Sequence, residues 1–214
     1  MFIAVETSDL VDSTKMPSTF FERVNALIKE ELAQLNEHTD NQFSVFRGDA
    51  YQVLYASPSL AFRHALLLKL KLLFAFEDTP VHLTQALAFG FQETPKQAIS
   101  ENMGEVFVCS GRTLDKSASG DITIQFIPFP DLQASINLIT SFLNRHLKGL
   151  TQKQAQVLYH YVANQFCEQH LIADKLTMTR QNVAVHLKRG GSELLRDCIA
   201  YFEQTVASAK DMSV

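Results

Sequence analysis

The chain has 214 residues, 46% of them hydrophobic and 20% charged, with a formal net charge of −4 and no Trp. That length holds one domain of about 130 residues and a smaller companion, and the composition is that of a globular protein rather than a disordered one. The acidic total excludes a surface that is basic all over, and the most apolar stretch, residues 65–76, is short and broken by Lys69 and Lys71, so membrane insertion is not expected.

In chain order, residues 2–5 predict a short apolar strand running into a polar loop over residues 6–15. Pro17 opens a helix to about residue 37, with Phe20, Phe21, Val24, Leu27, Ile28 and Leu32 on its apolar side. Residues 43–46 and 51–55 predict two strands joined by Arg47, Gly48 and Asp49, a tight-turn signature. A helix over residues 60–76, a long apolar strand over 81–91, a loop over 92–103, a short helix over 106–117 and a last strand over 122–127 follow. This order predicts an α+β fold of ferredoxin-like plan, an antiparallel sheet with helices on one face. Pro128 and Pro130 end the unit, residues 134–147 form a connecting helix, and Leu150-Thr151 starts a helical segment.

Residues 169–189, QHLIADKLTMTRQNVAVHLKR, predict a helix-turn-helix. Ile172 and Leu176 make one apolar face, and small Ala173 allows a second helix to cross closely. Residues 176–178 turn, and Thr179 supplies an N-cap hydroxyl. Val183 and Leu187 then return to the core, while Arg180, Gln181, Asn182, His186 and Lys188 face outward with Thr179 at the amino end, where base edges are met. Thr177 stands where such turns favour Gly, and Gly190-Gly191 stop the helix. Charge agrees: residues 1–130 carry 10 basic against 16 acidic side chains, residues 131–214 carry 9 against 7, and residues 145–189 carry 7 against 2. A local basic band is what phosphate contacts require. The stripe Leu194, Leu195, Cys198, Ile199, Phe202 and Val206 is either packed on its own domain or the seam of a homodimer suited to a palindromic operator.

Two polar segments of the front half come together in this plan. Ser8-Asp9-Leu10-Val11-Asp12-Ser13-Thr14 follows the first strand, and Phe46-Arg47-Gly48-Asp49-Ala50-Tyr51 makes the hairpin. Asp9 and Asp49 are candidate ligands of a divalent cation, since Mg²⁺ is held by one or two carboxylates plus substrate phosphates. The same residue types also cap loops and turns without any ligand. The first motif resembles the metal-binding opening of class III nucleotidyl cyclases, and Gly48-Asp49-Ala50-Tyr51 resembles their second metal-binding hairpin. The whole chain resembles the SatD-like proteins, a bacterial group with a cyclase-like domain, some of which end in a helix-turn-helix.

The resemblance implies a cyclase-like domain over residues 1–130, a linking helix over 131–149 and a helix-turn-helix domain over 150–214. It also implies Mg²⁺ with a nucleotide as ligand, and Arg47 and Arg112 as nucleotide-contacting groups. Two positions depart from the pattern. Val45 stands where these cyclases read the base with Lys, and Val108 stands where they place an Asn before the transition-state Arg. Without those groups the base and the 3′-hydroxyl lose their positioning, so cyclisation is not expected. The expectation is a cytoplasmic, DNA-binding, homodimeric transcriptional regulator with a non-catalytic sensor domain. The alternative is a metal-dependent nucleotide-processing enzyme with a regulatory helical tail. The three cysteines form no CxxC pair and fit idle thiols in a reducing compartment.

Overall fold

A computed structural model of the chain describes residues 1–37, 41–46, 48–93 and 104–211. Five strands, β1 (Phe2–Leu10), β2 (Gln42–Phe46), β3 (Ala50–Tyr55), β4 (Leu83–Phe91) and β5 (Ile122–Phe126), form one sheet in the order β2-β3-β1-β4-β5. The first four are antiparallel neighbours carrying α1 (Ser18–Glu37) and α2 (Ala61–Phe74), which is the ferredoxin-like order. β5 lies parallel to β4, and α3 (Glu105–Leu114) makes the crossover that a parallel neighbour needs.

Two expectations are corrected here: the sheet is mixed, and helices cover both faces. Val106 and Phe107 of α3 pack with Ile3, Val5, Leu54 and Ala88, while Phe2, Ala4, Tyr51 and Phe89 of the opposite face join the core that includes α2. β1 and β4 are central strands with apolar side chains on both faces, so each face requires its own cover. β1 is also longer than its apolar start suggests. Glu6, Thr7, Ser8 and Asp9 continue the strand because β3 and β4 hydrogen-bond it from both sides.

Pro130 does not terminate the unit but opens α4 (Pro130–Lys148), where its missing N–H costs nothing. α4 covers the outer edge of β5. Asn144 accepts from Ile122 N and donates to Ile122 O, both at 2.8 Å, and Gln133 pairs with Ile124 O at 2.7 Å and Phe126 N at 3.1 Å. These two side-chain amides satisfy an edge that would otherwise be open to pairing. α5 (Gln152–Ala163) begins in a full capping box between Thr151 and Gln154. α6 (Gln169–Leu176), α7 (Arg180–Arg189) and α8 (Ser192–Asp211) follow. The apolar core runs on from α2 into these helices, with the Phe62 and Phe202 rings 4.5 Å apart. Of the α8 stripe, Leu195, Cys198, Ile199, Phe202 and Val206 are buried in that core, the first of its two readings, while Leu194 is 50% exposed. None of the described helices is long and apolar enough to cross a membrane.

Candidate functional site

The end of the sheet at the carboxyl end of β1 opens into a cleft of about 730 Å³. Asp9 enters it from β1, where its backbone is paired with Ala50 on one side and Thr84 on the other. Asp49 enters from the β2–β3 turn, whose bend is taken by Gly48 at φ 85°. The turn is tied to β1 by Leu10 N donating to Asp49 O at 3.1 Å, and Ser13 Oγ donates to Asp49 Oδ2 at 2.6 Å. Asp9 and Asp49 therefore line one cleft, brought there by strand register. Asp12 stands at the rim in the left-handed region at φ 56° and pairs with Lys15 at 2.7 Å.

Asp115 of the α3 end completes a lining that, among the described residues, contains four aspartates and no Lys or Arg. A phosphate would be repelled from such a surface unless a cation came with it. The donor set is all oxygen, which suits a hard cation such as Mg²⁺ held by two carboxylates. Among the described residues no group of three or more His, Cys, Asp or Glu could hold a metal by itself. Asp9 and Asp49 are the two carboxylates that would hold such a cation together with its own phosphate ligands.

Arg112 is not brought to this cleft. It lines a separate groove of about 530 Å³ with Glu105, Val108, Cys109 and Lys116 on the outer side of α3. Arg47 lies outside the described residues. Val45 is half-buried against the core, and Val108 is exposed. The floor of the cleft is uncharged: Thr7 Oγ1 lies 2.8 Å from Ser110 Oγ and accepts from Gln52 Nε2 at 3.0 Å.

The second candidate surface is the α6–α7 pair. Thr177 takes the left-handed conformation, φ 52° and ψ 47°, and Met178 N donates to Ala173 O at 2.9 Å. This is a Schellman termination built without Gly. Thr179 caps α7, its hydroxyl accepting from Asn182 N at 3.2 Å. Val183 and Leu187 are buried, and Arg180, Gln181, Asn182 and Lys188 are exposed. His186 is half-buried and its Nδ1 has no partner, so it is less available than the spacing suggests. Val185, 44% exposed and four residues on from Gln181, takes the outward face instead. Helical spacing alone could have found it.

At the carboxyl end of α7 the His146 ring, on α4, lies 2.7 Å from Gly190 O. A Cβ on Gly191 would fall 2.8 Å from that ring, and its φ of 65° also favours Gly. The two glycines thus do more than stop α7: they let α4 hold its end.

Sequence reading missed a buried polar cluster under α2. Glu6, fully buried, accepts from Ser8 Oγ at 2.7 Å, Tyr51 Oη at 2.9 Å, Gln85 Nε2 at 2.9 Å and the Tyr55 hydroxyl. Four donors satisfy a carboxylate that burial would otherwise penalise heavily. Burial, reinforced by Glu6, pushes the Tyr51 and Tyr55 hydroxyls well above their ordinary range. Lys69 of α2 is buried beside this cluster, donating to Leu83 O at 2.5 Å, and desolvation lowers its pKa to about 7. The available signal was Glu6 and Ser8 alternating in step with Phe2 and Ala4.

No protein-family model and no curated protein matches the sequence. Solved structures of nucleotidyl cyclases are similar over part of the chain. The guanylyl cyclase Cya2 is 17% identical with a TM-score of 0.43, covering 58% of this chain and 74% of its own. A Trypanosoma brucei adenylate cyclase in its monomeric state is 12% identical with a TM-score of 0.47, covering 57% and 72%. The adenylyl cyclase CyaB of P. aeruginosa is 15% identical with a TM-score of 0.41, covering 57% and 76%. Likeness of this extent carries no argument about the chemistry of this chain.

Proposed function

We propose that the protein is a DNA-binding regulator whose α6–α7 pair is a helix-turn-helix and whose sheet-end cleft takes a metal-bound nucleotide as effector. The observation that carries the DNA reading is the division of α7. Val183 and Leu187 anchor one side, while Arg180, Gln181 and Asn182 present donors and acceptors from a capped amino terminus on the other. That is the arrangement by which a helix enters the major groove and meets base edges. Exposed Lys188 and Arg189 at the other end supply phosphate contacts. A homodimer doubles these contacts and offsets the acidic body.

The effector reading rests on Asp9 and Asp49 sharing one cleft that no Lys or Arg lines among the described residues. When bound, Mg²⁺ supplies the positive charge that lets phosphate oxygens approach this surface. Asp9 and Asp49 hold it, and Ser13 orients Asp49. With Val45 and Val108 at the positions named above, the cleft binds without cyclising. A mobility-shift assay on the DNA upstream of its own gene, with and without Mg²⁺ and nucleoside triphosphates, tests both parts. A specific shift supports the regulator, and an effect of nucleotide on it supports the effector site. Turnover of nucleotide with no DNA shift favours the enzyme reading.

A further inference from the structure

The outward face of α4 is apolar between two charged ends. Between Asp131 and Arg145 the helix contains no charged residue, and Leu138 and Phe142 stand 60% and 65% exposed. The opposite side of α4 is committed to β5 through Asn144 and Gln133, and among the described residues nothing covers these side chains. α8, the other apolar stripe in this half, is buried apart from Leu194.

The spacing along the exposed face is symmetric. Asp131, Leu138 and Arg145 are seven residues apart, which returns each to nearly the same face of a helix. Reversing the helix about Leu138 brings Leu138 against Leu138, Asp131 against Arg145, and large Phe142 against small Ala134. A surface that is complementary to itself after a half-turn is the signature of a two-fold contact. We infer that α4 is a homodimer interface, packing antiparallel against α4 of a second copy with Leu138 on the two-fold axis and an Asp131–Arg145 ion pair at each end.

The contact spans about 21 Å of helix from Asp131 to Arg145, at about 1.5 Å per residue. One helix pair of that length covers less than the roughly 1,200–2,000 Å² of a stable complex, so the dimer is concentration-dependent. Because His146 holds Gly190, the pairing also sets the distance between the two α7 helices. His146 lies eight residues from the axis, which separates the two carboxyl ends of α7 by on the order of 25–35 Å. Successive major grooves on one face of DNA are about 34–36 Å apart. This last agreement rests on the DNA reading; the dimer itself does not.

Sedimentation equilibrium of the full chain across micromolar concentrations, with circular dichroism to confirm folding, tests the interface without DNA. The wild type is expected to show a monomer–dimer equilibrium that Leu138→Glu abolishes. Asp131→Arg and Arg145→Asp should each weaken it roughly tenfold, since each places two like-charge contacts in the dimer. The double variant should return to near the wild-type value. A wild type that stays monomeric up to about 100 μM, at the weak end of interfaces this small, overturns the inference. So does a dimer indifferent to Leu138→Glu, or a double variant no tighter than the singles. A failure of DNA binding alone leaves the interface standing and removes only the spacing argument.

Discussion

Tyr159 of α5 donates a 3.0 Å hydrogen bond to the Glu31 carboxylate of α1, 128 residues away in the chain. Lys71 of α2 completes the group, 2.8 Å from Glu31 and with its ammonium 5.2 Å from the centre of the Tyr159 ring. One nearly buried carboxylate thus ties a helix of the sheet unit to a helix of the carboxyl-terminal half. Glu31→Ala should cost about 2–4 kcal/mol, because it leaves Lys71 and the Tyr159 hydroxyl without their partner, whereas Tyr159→Phe should cost about 1 kcal/mol. Urea unfolding of both variants and of the double variant checks this. Additive losses would mean that the bond carries no coupling.

Arg180→Ala or Gln181→Ala should weaken binding to a specific DNA site by about 1–3 kcal/mol if each contacts a base edge. Lys188→Ala should weaken all sequences alike and reduce the slope of log affinity against log salt by about one. Val185→Ala should change sequence preference more than affinity for random DNA, because an exposed methyl pair recognises a thymine methyl rather than a phosphate. Titrations on specific and random duplexes at three salt concentrations separate these effects. Unaltered binding in Arg180→Ala and Lys188→Ala together would remove α7 from the interface.

In the cleft, Mg²⁺ with a nucleoside triphosphate should raise the melting temperature, since a ligand that binds only the folded chain stabilises it by mass action. Asp49→Asn should abolish that rise while leaving the unliganded melting temperature nearly unchanged, because Asn keeps the oxygen that accepts from Ser13. No cyclic nucleotide should form. Cyclic product above a blank would show that Val45 and Val108 do not silence the site.

Stability should depend on pH in two windows. Burial holds His64 at a pKa of about 4, with Arg63 adding to the shift, and holds His160 at about 4, with Lys175 and Lys71 adding to it. The unfolded chain protonates its histidines near 6.5, so between these values it binds more protons and stability falls as pH drops from about 6.5 to 4. His64 accounts for on the order of 3 kcal/mol and the more exposed His160 for less. Lys69 loses its proton near pH 7 in the folded chain, against an ordinary value of 10.5. Stability should therefore rise from pH 7 towards 10. Above that, Tyr51 and Tyr55 keep their protons in the folded state while unfolded Tyr ionises, and the trend reverses. Lys69→Met should flatten the rise and leave the acid limb intact. Urea midpoints from pH 4 to 11 report both windows, and a rise unchanged in Lys69→Met would assign it to another group.

Local chemistry made several features legible in the sequence. The αββα order of the front half follows from apolar period, and Thr151, Thr179 and the α7 stripe follow from capping and helical spacing, because each depends only on residues within one or two turns. The β2–β3 hairpin that carries Asp49 is local in the same way, but its docking beside Asp9 rests on the long-range β1–β3 pairing. Contacts across the fold were decided by tertiary structure alone. β1 extends through Glu6 and Asp9 because two neighbours hydrogen-bond it. α3 makes the crossover because β4 and β5 are parallel; the end of α3 brings Asp115 to the cleft, while Arg112 lies on the side of α3 that lines the separate groove. The Glu6 cluster draws on β1, β3 and β4, and a carboxylate within a polar run reads as loop until its four donors are in place. The choice between α8 and α4 as the apolar surface left to solvent belongs here too. Both carry apolar residues at helical spacing, and only the position of the core shows that α8 is covered from Leu195 to Val206 while Leu138 and Phe142 are not.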